Sequence, residues 1–234
     1  MAAIDAVIFD YYETLAALPR EPREHAFDEL AQRVGVDLPP AEPYRHWREL
    51  TPDWSLPHQR PPLDGVAPPF RPFHDVWCQR SDELFRRWGV DMPGEVGAEA
   101  YAEAHAAAPL YHEVPEALDA LRGRFQLAVL SDADEGFLRE SLRRNGLAFE
   151  VVILSEEVRA YKPHVSMFRE VCTRLGVEPA QAVYVGDSPW ADIAGARHAG
   201  LRAVWLDRHG ASWPEDIEPP EIVITDLSEL GGAL

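Results

Sequence analysis

Six side chains that can take part in catalysis stand at or soon after apolar stretches of this 234-residue sequence. They are Asp10 and Thr14 after the first stretch, Ser131 after the next, Lys162 in the loop beyond a weaker one, and Asp187 and Asp192 after another. The carboxyl ends of the strands in an open parallel sheet meet at one edge, where ligands bind. Any one of these residues alone is best explained as a helix cap, but all six in this order favour one shared site.

Carboxylate, hydroxyl and ammonium groups in one place fit covalent catalysis. A carboxylate such as that of Asp10 can attack an electrophile and form an aspartyl ester, which divides one difficult step into two. Attack on a dianionic phosphate is opposed by charge repulsion unless cations are present. Lys162, the only lysine among 22 basic residues, supplies one positive charge, and Mg²⁺ on hard oxygen ligands would supply two more.

The elements that must position these side chains alternate between strand and helix. Six apolar segments fit strands covered on both faces: Ile4–Asp10, Phe125–Leu130, Glu150–Leu154, Ala182–Gly186, Arg202–Leu206 and Glu221–Thr225. Helices are predicted between them at Pro115–Arg122, Asp134–Asn145, Pro163–Leu175 and Pro189–Ala199. Pro163 and Pro189 stand where first helical residues would, and Ser188 can cap the second of these helices. The alternation predicts a doubly wound parallel α/β sheet.

Residues 16–109 interrupt this alternation with helices alone. The predicted helices are Glu21–Val34, Ala41–Leu50, Phe73–Trp88 and Gly94–Ala107. Residues 51–72 contain seven prolines, whose fixed φ angles and missing N–H donors exclude regular structure. We therefore predict an α/β core of residues 1–15 and 110–234, with residues 16–109 as an inserted all-helical module that carries a proline-rich loop at 51–72.

Composition excludes several classes of partner. Forty acidic residues against 22 basic ones give a formal net charge of −18, which disfavours binding to nucleic acid or to a membrane surface. Two cysteines give neither a disulfide framework nor metal-ligand spacing, and no apolar run reaches the ~18 residues of a membrane span. We expect a cytoplasmic protein that acts on a small molecule; the sequence indicates no oligomeric state.

Four short motifs resemble those of the haloacid dehalogenase (HAD) superfamily. They are FDYYETL at 9–15, VLSD at 129–132, YKP at 161–163 and GDSPWADIAGARHAG at 186–200. A lone Asp-x-x-x-Thr is weak, but four motifs in order and register are highly specific. The resemblance implies a Rossmann-like HAD core, with the inserted module as a helical cap domain.

The resemblance also implies a role for each matching residue. Asp10 would be the nucleophile, and Asp10, Asp187 and the backbone carbonyl of Tyr12 would be the Mg²⁺ ligands. Thr14 and Ser131 would form hydrogen bonds to the phosphoryl group or the nucleophile. Lys162 would supply a positive charge and contact the substrate, and Asp192 would support the site. Tyr12 and Ser131 are also expected to contact the substrate.

Two of the motif residues favour different reactions. HAD phosphatases, by resemblance, have an acid/base Asp where this chain has Tyr12, whereas haloacid dehalogenases have Tyr there. A phenol with a pKa near 10 is a poor base at neutral pH, and loss of a general acid/base typically costs about 10²–10⁴ in rate. The dehalogenases use no metal and have Ser in place of Asp187, so Asp187 favours a metal site and a phosphate.

Some residues add weaker hypotheses. Glu13 occupies a position where glycine is usual in the family, and the sequence leaves open whether its carboxylate acts as an acid. Arg48 is a candidate for the dehalogenase cap arginine, although Trp47 beside it fits a core position better. An aromatic and histidine set is a candidate lining for the substrate side of the cap: Trp54, His58, Phe70, Phe73 and Trp77. Cleavage of phosphonates is excluded because the cap has no lysine.

Three functions therefore stay open on the sequence. The favoured one is a Mg²⁺-dependent phosphatase that forms an aspartyl intermediate at Asp10 and acts on a small phosphorylated metabolite. The second is a 2-haloacid dehalogenase, which Tyr12 favours. The third is a degenerate HAD protein that binds a phosphorylated ligand without turnover.

Overall fold

Six short strands form one sheet in which every neighbouring pair is parallel. The computed structural model describes residues 3–50 and 60–234. The strands are β1 Ala6–Phe9, β2 Gln126–Ser131, β3 Val151–Leu154, β4 Ala182–Gly186, β5 Arg202–Leu206 and β6 Ile222–Ile224, in the order β3-β2-β1-β4-β5-β6. All six match predicted apolar segments, so the predicted parallel α/β sheet is confirmed.

The first strand lies in the middle of the sheet, where it pairs with β2 on one edge and β4 on the other, and both of its faces are covered. Every residue of β1 is fully buried. Val7 and Phe9 belong to one apolar cluster, whereas Ala6 and Ile8 belong to a second cluster on the opposite face. A continuous apolar run is therefore what this position requires, and Asp10 emerges directly from this buried strand.

Helices are the only regular elements from residue 20 to residue 106 within the described part of the chain. They are α1 Arg20–Arg33, α2 Glu42–Glu49, α3 Phe73–Trp88 and α4 Glu95–Ala106. Helix α1 packs against α2 and α4, and α3 packs against α4. The loop that leads into this helical segment and the loop that leaves it meet in an antiparallel bridge between Ala16 and Leu110.

The remaining helices precede, connect or follow strands β2 to β6. They are α5 Val114–Leu121, α6 Glu135–Arg144, α7 Ser155–Val158, α8 Val165–Leu175, α9 Gly195–His198 and α10 Leu230–Ala233. Helix α6 packs against α4. Asp134, just before α6, accepts hydrogen bonds from the backbone N–H groups of Phe73 (2.9 Å) and His74 (2.7 Å). A side chain of the sheet region thus satisfies the first N–H groups of α3.

The prediction of a helix beginning at Pro163 is wrong by two residues. Helix α8 begins at Val165, and the side chain of His164 accepts a hydrogen bond from the N–H of Ser166. The cause is tertiary, because Asp132 accepts a hydrogen bond from the N–H of Lys162 and holds the preceding loop in place. Pro163 itself packs against Gly195, where an added Cβ would lie 2.8 Å from the proline ring.

The proline-rich segment has neither helix nor strand from residue 60 to residue 72, as predicted for that part of it. It runs along the sheet region, since the carbonyl of Leu63 accepts a hydrogen bond from the N–H of Val165 (2.8 Å). The indole N–H of Trp190 donates to the carbonyl of Pro61 (3.2 Å). Trp54 and His58 lie outside the described residues.

No helix in the described ranges, 3–50 and 60–234, is both long enough and apolar enough to cross a bilayer.

Candidate active site

The carboxyl ends of three neighbouring strands bring the predicted acidic and hydroxyl residues together. Strand β1 pairs with both β2 and β4, so Asp10 lies between the ends of the strands that carry Ser131 and precede Asp187. The backbone N–H of Asp10 donates to the carbonyl of Val185 (2.9 Å), which extends the ladder by one residue. Asp10 is 7% exposed and Ser131 is 1% exposed.

Lys162 reaches this edge from the loop between α7 and α8 and contacts two of the acids. Its ammonium nitrogen lies 2.7 Å from an oxygen of Asp10 and 2.6 Å from an oxygen of Asp192. Burial alone would lower the pKa of Lys162, but Asp10 and Asp192 raise it well above its ordinary value. The lysine is therefore a buried cation at neutral pH, and the structure brings these three predicted residues together.

Two further side chains position Lys162, and sequence reasoning missed both. The hydroxyl of Tyr184 accepts a hydrogen bond from the ammonium group of Lys162 (3.1 Å) and lies within hydrogen-bond distance of the carbonyl of Leu130 (3.1 Å). The carboxylate of Asp132 accepts from the backbone N–H of Lys162 (2.9 Å). Asp132 directly follows Ser131 at a strand end, so position gave a signal; Tyr184 lies inside β4 and resembles an ordinary core residue.

Asp192 is held by the turn that follows β4. Residues Pro189–Ala194 form a π-helix whose first turn is capped by the Ser188 side chain, as predicted. The backbone N–H of Ser188 donates in turn to Asp192 (2.9 Å). Gly186 is required at the strand end, because a Cβ there would lie 2.5 Å from the Asp192 carboxyl group.

Three carboxyl groups converge beside a single lysine. One oxygen each from Asp10, Asp187 and Asp192 lie within 4.8 Å of one another. Burial raises the pKa of Asp10 to about 6, against the opposing attraction of Lys162. Burial, followed by repulsion from Asp192 and Asp10, raises the pKa of Asp187 well above its ordinary value. Fully ionised, the three acids would carry three negative charges against the one positive charge of Lys162, so a further cation would be needed to keep all of them deprotonated.

The donor set at this edge fits a hard divalent cation. Its side chains offer carboxylate oxygens, the ligands that Mg²⁺ prefers, whereas soft ligands would select other metals. Thr14 is fully buried, and within the described ranges its hydroxyl oxygen has no hydrogen-bond partner. Burying a hydroxyl without a hydrogen-bond partner costs free energy. The position of Thr14 in the loop after Asp10 therefore fits a hydroxyl that forms a hydrogen bond with a bound ligand.

Tyr12 points toward the helical segment rather than into the acid cluster. Its hydroxyl donates to the backbone carbonyl of His105 on α4 (3.2 Å), and its ring contacts His105 and Phe137. Burial, with smaller effects from Tyr11 and Asp10, raises the pKa of the phenol above its ordinary value. The hydroxyl of Tyr12 therefore keeps its proton more strongly than that of a free tyrosine does. The role of its carbonyl as a metal ligand stays a prediction.

Two of the predicted aromatic lining residues, Phe73 and Trp77, pack close to the sheet edge. Trp77 is buried against Phe137 and His105, the two rings that also contact Tyr12. Phe73 stacks near Trp77, with ring centroids 5.5 Å apart. These two predicted lining residues therefore lie in the wall between the helical segment and the sheet edge.

Arg48 is not brought into the cluster of acids. Its side chain is exposed on α2, whereas Trp47 is 1% exposed and packs against Phe27 and Tyr101. The alternative explanation of the pair, a core tryptophan beside a solvated arginine, fits this placement. A role for Arg48 in substrate binding stays a prediction that this exposed position does not support.

Comparison with known proteins defines the class to which this fold and site belong. Residues 4–200 match the family described as haloacid dehalogenase-like hydrolase, and the chain belongs to that family of hydrolases. The fold is shared with the HAD-hydrolase YfnB from Bacillus subtilis bound to magnesium, at a TM-score of 0.78 and 20% identity, with 99% of each chain covered.

The relatives include both enzymes that the motifs resemble. The chain is 41% identical over 178 residues to a phosphoserine phosphatase of Thermus thermophilus, covering 74% of this chain and 70% of that protein. It is also 26% identical over 237 residues to (S)-2-haloacid dehalogenase 1 of a Pseudomonas species, covering 98% and 96%. The family is thus established, and the choice between phosphate and halide chemistry has to be argued from the residues of the site.

Proposed function

We propose that the protein is a Mg²⁺-dependent phosphatase acting on a small phosphorylated metabolite, with Asp10 as its nucleophile. The observation that carries this proposal is the convergence of oxygens from Asp10, Asp187 and Asp192 within 4.8 Å. Without a metal, an anionic substrate would be repelled by these acids, whereas a divalent cation would link them to a phosphate. The likeness to the phosphoserine phosphatase supports the same choice.

The residues perform the first half of the reaction in a defined order. An oxygen of Asp10 attacks phosphorus, the bond from phosphorus to the leaving oxygen breaks, and the leaving alkoxide takes a proton from solvent. Lys162 neutralises charge on the transferring group, and Thr14 and Ser131 hold it by hydrogen bonds. Mg²⁺, held by Asp10, Asp187 and the carbonyl of Tyr12, would supply the additional positive charge.

The second half restores the carboxylate. A water oxygen attacks the phosphorus of the aspartyl phosphate, the bond between phosphorus and the Asp10 oxygen breaks, and the water proton passes to solvent. Tyr12, which stands where the family's phosphatases have their acid/base, is engaged by His105 and has a raised pKa. This step is therefore expected to be slow. We propose further that the helical segment covers the site as a cap.

A 2-haloacid dehalogenase is the second candidate, and Tyr12 is the observation that favours it. A halide leaves without a proton, so that reaction would not need the missing acid. In that case Asp10 would displace halide from carbon, and the ester would be hydrolysed without metal. The dehalogenase relative supports this alternative, and the acid cluster opposes it.

Two product assays distinguish the candidates. We expect the wild-type protein to release inorganic phosphate from p-nitrophenyl phosphate and acyl phosphates with Mg²⁺ and to lose this activity with EDTA. We expect no halide release from short 2-halo acids in EDTA. Halide release that survives chelation and disappears in Asp10→Asn would overturn the phosphatase proposal. Phosphate binding without either turnover would support the non-catalytic function.

Metal binding is expected to raise the melting temperature by mass action. A ligand at 100 times its Kd stabilises the folded state by about 2.7 kcal/mol, which in a protein of this size raises Tm by several degrees. Millimolar Mg²⁺ should produce this shift, and phosphate or a trigonal mimic should enlarge it. Asp187→Asn should abolish it, whereas Asp207→Asn, beyond the end of β5, should preserve it. Indifference of the wild-type protein to Mg²⁺ would favour the dehalogenase.

A further inference from the structure

Glu13 adopts a backbone conformation that disfavours residues with a side chain. Its φ angle is 63°, in the left-handed region. Such a conformation in a residue other than glycine is strained and persists only where surrounding contacts maintain it. Glu13 lies between Tyr12 and Thr14, three residues after Asp10, so the strained residue is part of the loop that forms the site.

The contacts that maintain Glu13 come from both linkers of the helical segment. One carboxylate oxygen accepts a hydrogen bond from the backbone N–H of Leu18 (2.7 Å), in the linker that enters the segment. The other accepts from the hydroxyl of Tyr111 (2.9 Å), in the linker that returns from it. A single carboxylate therefore joins the loop after β1 to both linkers.

The linkers are also joined to each other beside this carboxylate. The N–H of Ala17 donates to the carbonyl of Pro109 (2.8 Å), and the N–H of Tyr111 donates to the carbonyl of Leu15 (3.1 Å). These two hydrogen bonds flank the bridge between residues 16 and 110. Together with the contacts of Glu13 they tie both ends of the helical segment to the loop that follows β1.

Arg208 fixes the same assembly from the loop after β5. Its guanidinium carbon lies 3.7 Å from the ring centroid of Tyr111, and one nitrogen donates to the backbone carbonyl of Thr14 (2.7 Å). That side chain also forms an ion pair of 2.6 Å with Glu113, and both partners are 7% exposed. Tyr111 is thus held on one side by Glu13 and on the other by a buried cation.

We propose that Glu13 is a positioning residue, whose carboxylate fastens the loop carrying Tyr12 and Thr14 to both linkers of the helical segment. The inference rests on the proposed function, because it concerns the groups expected to hold metal and phosphate. Each oxygen of Glu13 accepts a hydrogen bond from a linker, one from Leu18 and one from Tyr111, so we assign this carboxylate a structural role rather than that of the missing acid/base. Release of the loop would displace the Tyr12 carbonyl and the Thr14 hydroxyl together.

A double-mutant cycle of Glu13→Gln and Tyr111→Phe tests the contact. Glu13→Gln replaces one accepting oxygen by an amide nitrogen that cannot accept, and Tyr111→Phe keeps the ring against Arg208 but removes the hydroxyl. Each single variant is expected to lower kcat for p-nitrophenyl phosphate by about 10-fold, as for loss of a hydrogen bond to a charged group, with KM unchanged and a higher Mg²⁺ requirement. The double variant should be no worse than the more severe single one.

Amide hydrogen exchange gives a readout that does not depend on turnover. Exchange at the N–H groups of Ala17, Leu18 and Tyr111 should accelerate in Glu13→Ala, which removes both accepting oxygens, and the global Tm should change little. Glu49→Ala, which removes an exposed carboxylate paired with Arg45 and Arg87 on the helical segment, is the matched control and should leave exchange and kcat unchanged.

The remaining outcomes each decide against the proposal or against the function beneath it. A fall in kcat above 10³-fold in Glu13→Gln, with Tyr111→Phe unaffected, would make Glu13 the general base and overturn positioning, since loss of such a group costs about 10²–10⁴. Additive effects in the cycle, or unchanged exchange at Leu18 in Glu13→Ala, would also overturn it. If the wild-type protein hydrolyses no phosphate, the proposed function fails, and the exchange data alone decide on Glu13. Should Glu13→Gln not fold, Tyr111→Phe gives both readouts.

Discussion

Replacement of Asp10 by Asn is expected to abolish turnover and to leave the fold intact. An amide oxygen is not a competent nucleophile, and removal of a catalytic nucleophile costs on the order of 10⁴–10⁶ in kcat. Asp10 is the acid that both follows β1 and contacts Lys162. No other side chain of the described site combines these two features, so none is placed to replace it.

The stability of this variant is expected to be equal to or higher than that of the wild type without metal. The pKa of Asp10 is raised to about 6 by burial, so the ionised carboxyl destabilises the folded state at neutral pH. The stability that its protonated form contributes is lost as pH rises from about 4 to about 6. Asn carries no charge to be buried, and Lys162 keeps its contact with Asp192.

Single-turnover kinetics, mass spectrometry and thermal unfolding check this result together. The wild-type protein should carry a phosphoryl adduct on Asp10 after rapid quenching, and Asp10→Asn should carry none. The control is Asp5→Asn, just before the other end of β1. It changes an exposed carboxyl group that accepts a hydrogen bond from the side chain of Gln181, and it should keep wild-type turnover. Appreciable activity in a pure Asp10→Asn protein would remove Asp10 from the role of nucleophile.

The positions of the main chemical groups followed from local sequence. Apolar runs predict buried strands, and parallel pairing then places Asp10, Ser131 and Asp187 at one edge without further information. The charge of Lys162 follows from its residue type, whereas the supporting role of Asp192 came from resemblance. Local sequence does not predict their contact, because Lys162 lies in a loop and Asp192 in the π-helix after β4; the two charged groups lie 2.6 Å apart.

The groups that sequence reasoning missed act through contacts between distant parts of the chain. Tyr184 reaches the carbonyl of Leu130 across 54 positions, and Glu13 meets Tyr111 across 98. Neither contact has a local pattern, because packing of separate elements creates it. The start of α8 was misplaced for the same reason, since Asp132 holds the loop of Lys162 and no helix begins at the proline that follows.

Tyr12→Asp is expected to raise the steady-state phosphatase rate by up to about 10²-fold, because it restores a carboxyl group where the acid/base is absent. The wild-type protein should show the complementary defect. With p-nitrophenyl or acyl phosphate, whose leaving groups need no proton, it should give a burst and a trappable phospho-Asp10, followed by slow turnover. Substrates that release an alkoxide should react slowly from the start.

Tyr12→Asp is also expected to lower the stability of the protein. Tyr12 contacts Tyr11, His105 and Phe137 and donates to the carbonyl of His105, so a smaller side chain leaves a cavity. Replacement of a large packed side chain typically costs about 2–5 kcal/mol, and a lower Tm is expected. Rates are therefore compared only at temperatures where circular dichroism shows the variant to be folded.

Tyr12→Phe separates the hydroxyl from the ring. It keeps the aromatic contacts and loses only the hydrogen bond to His105, which is a net loss of about 1 kcal/mol in stability. Because the phenol is directed to α4 and its pKa is raised by burial, we expect the steady-state rate of this variant to equal that of the wild type. A clear fall in rate in both Tyr12→Phe and folded Tyr12→Asp would show that the hydroxyl contributes to chemistry. Tyr12 would then be a catalytic residue, and slow hydrolysis of the aspartyl phosphate would need another cause.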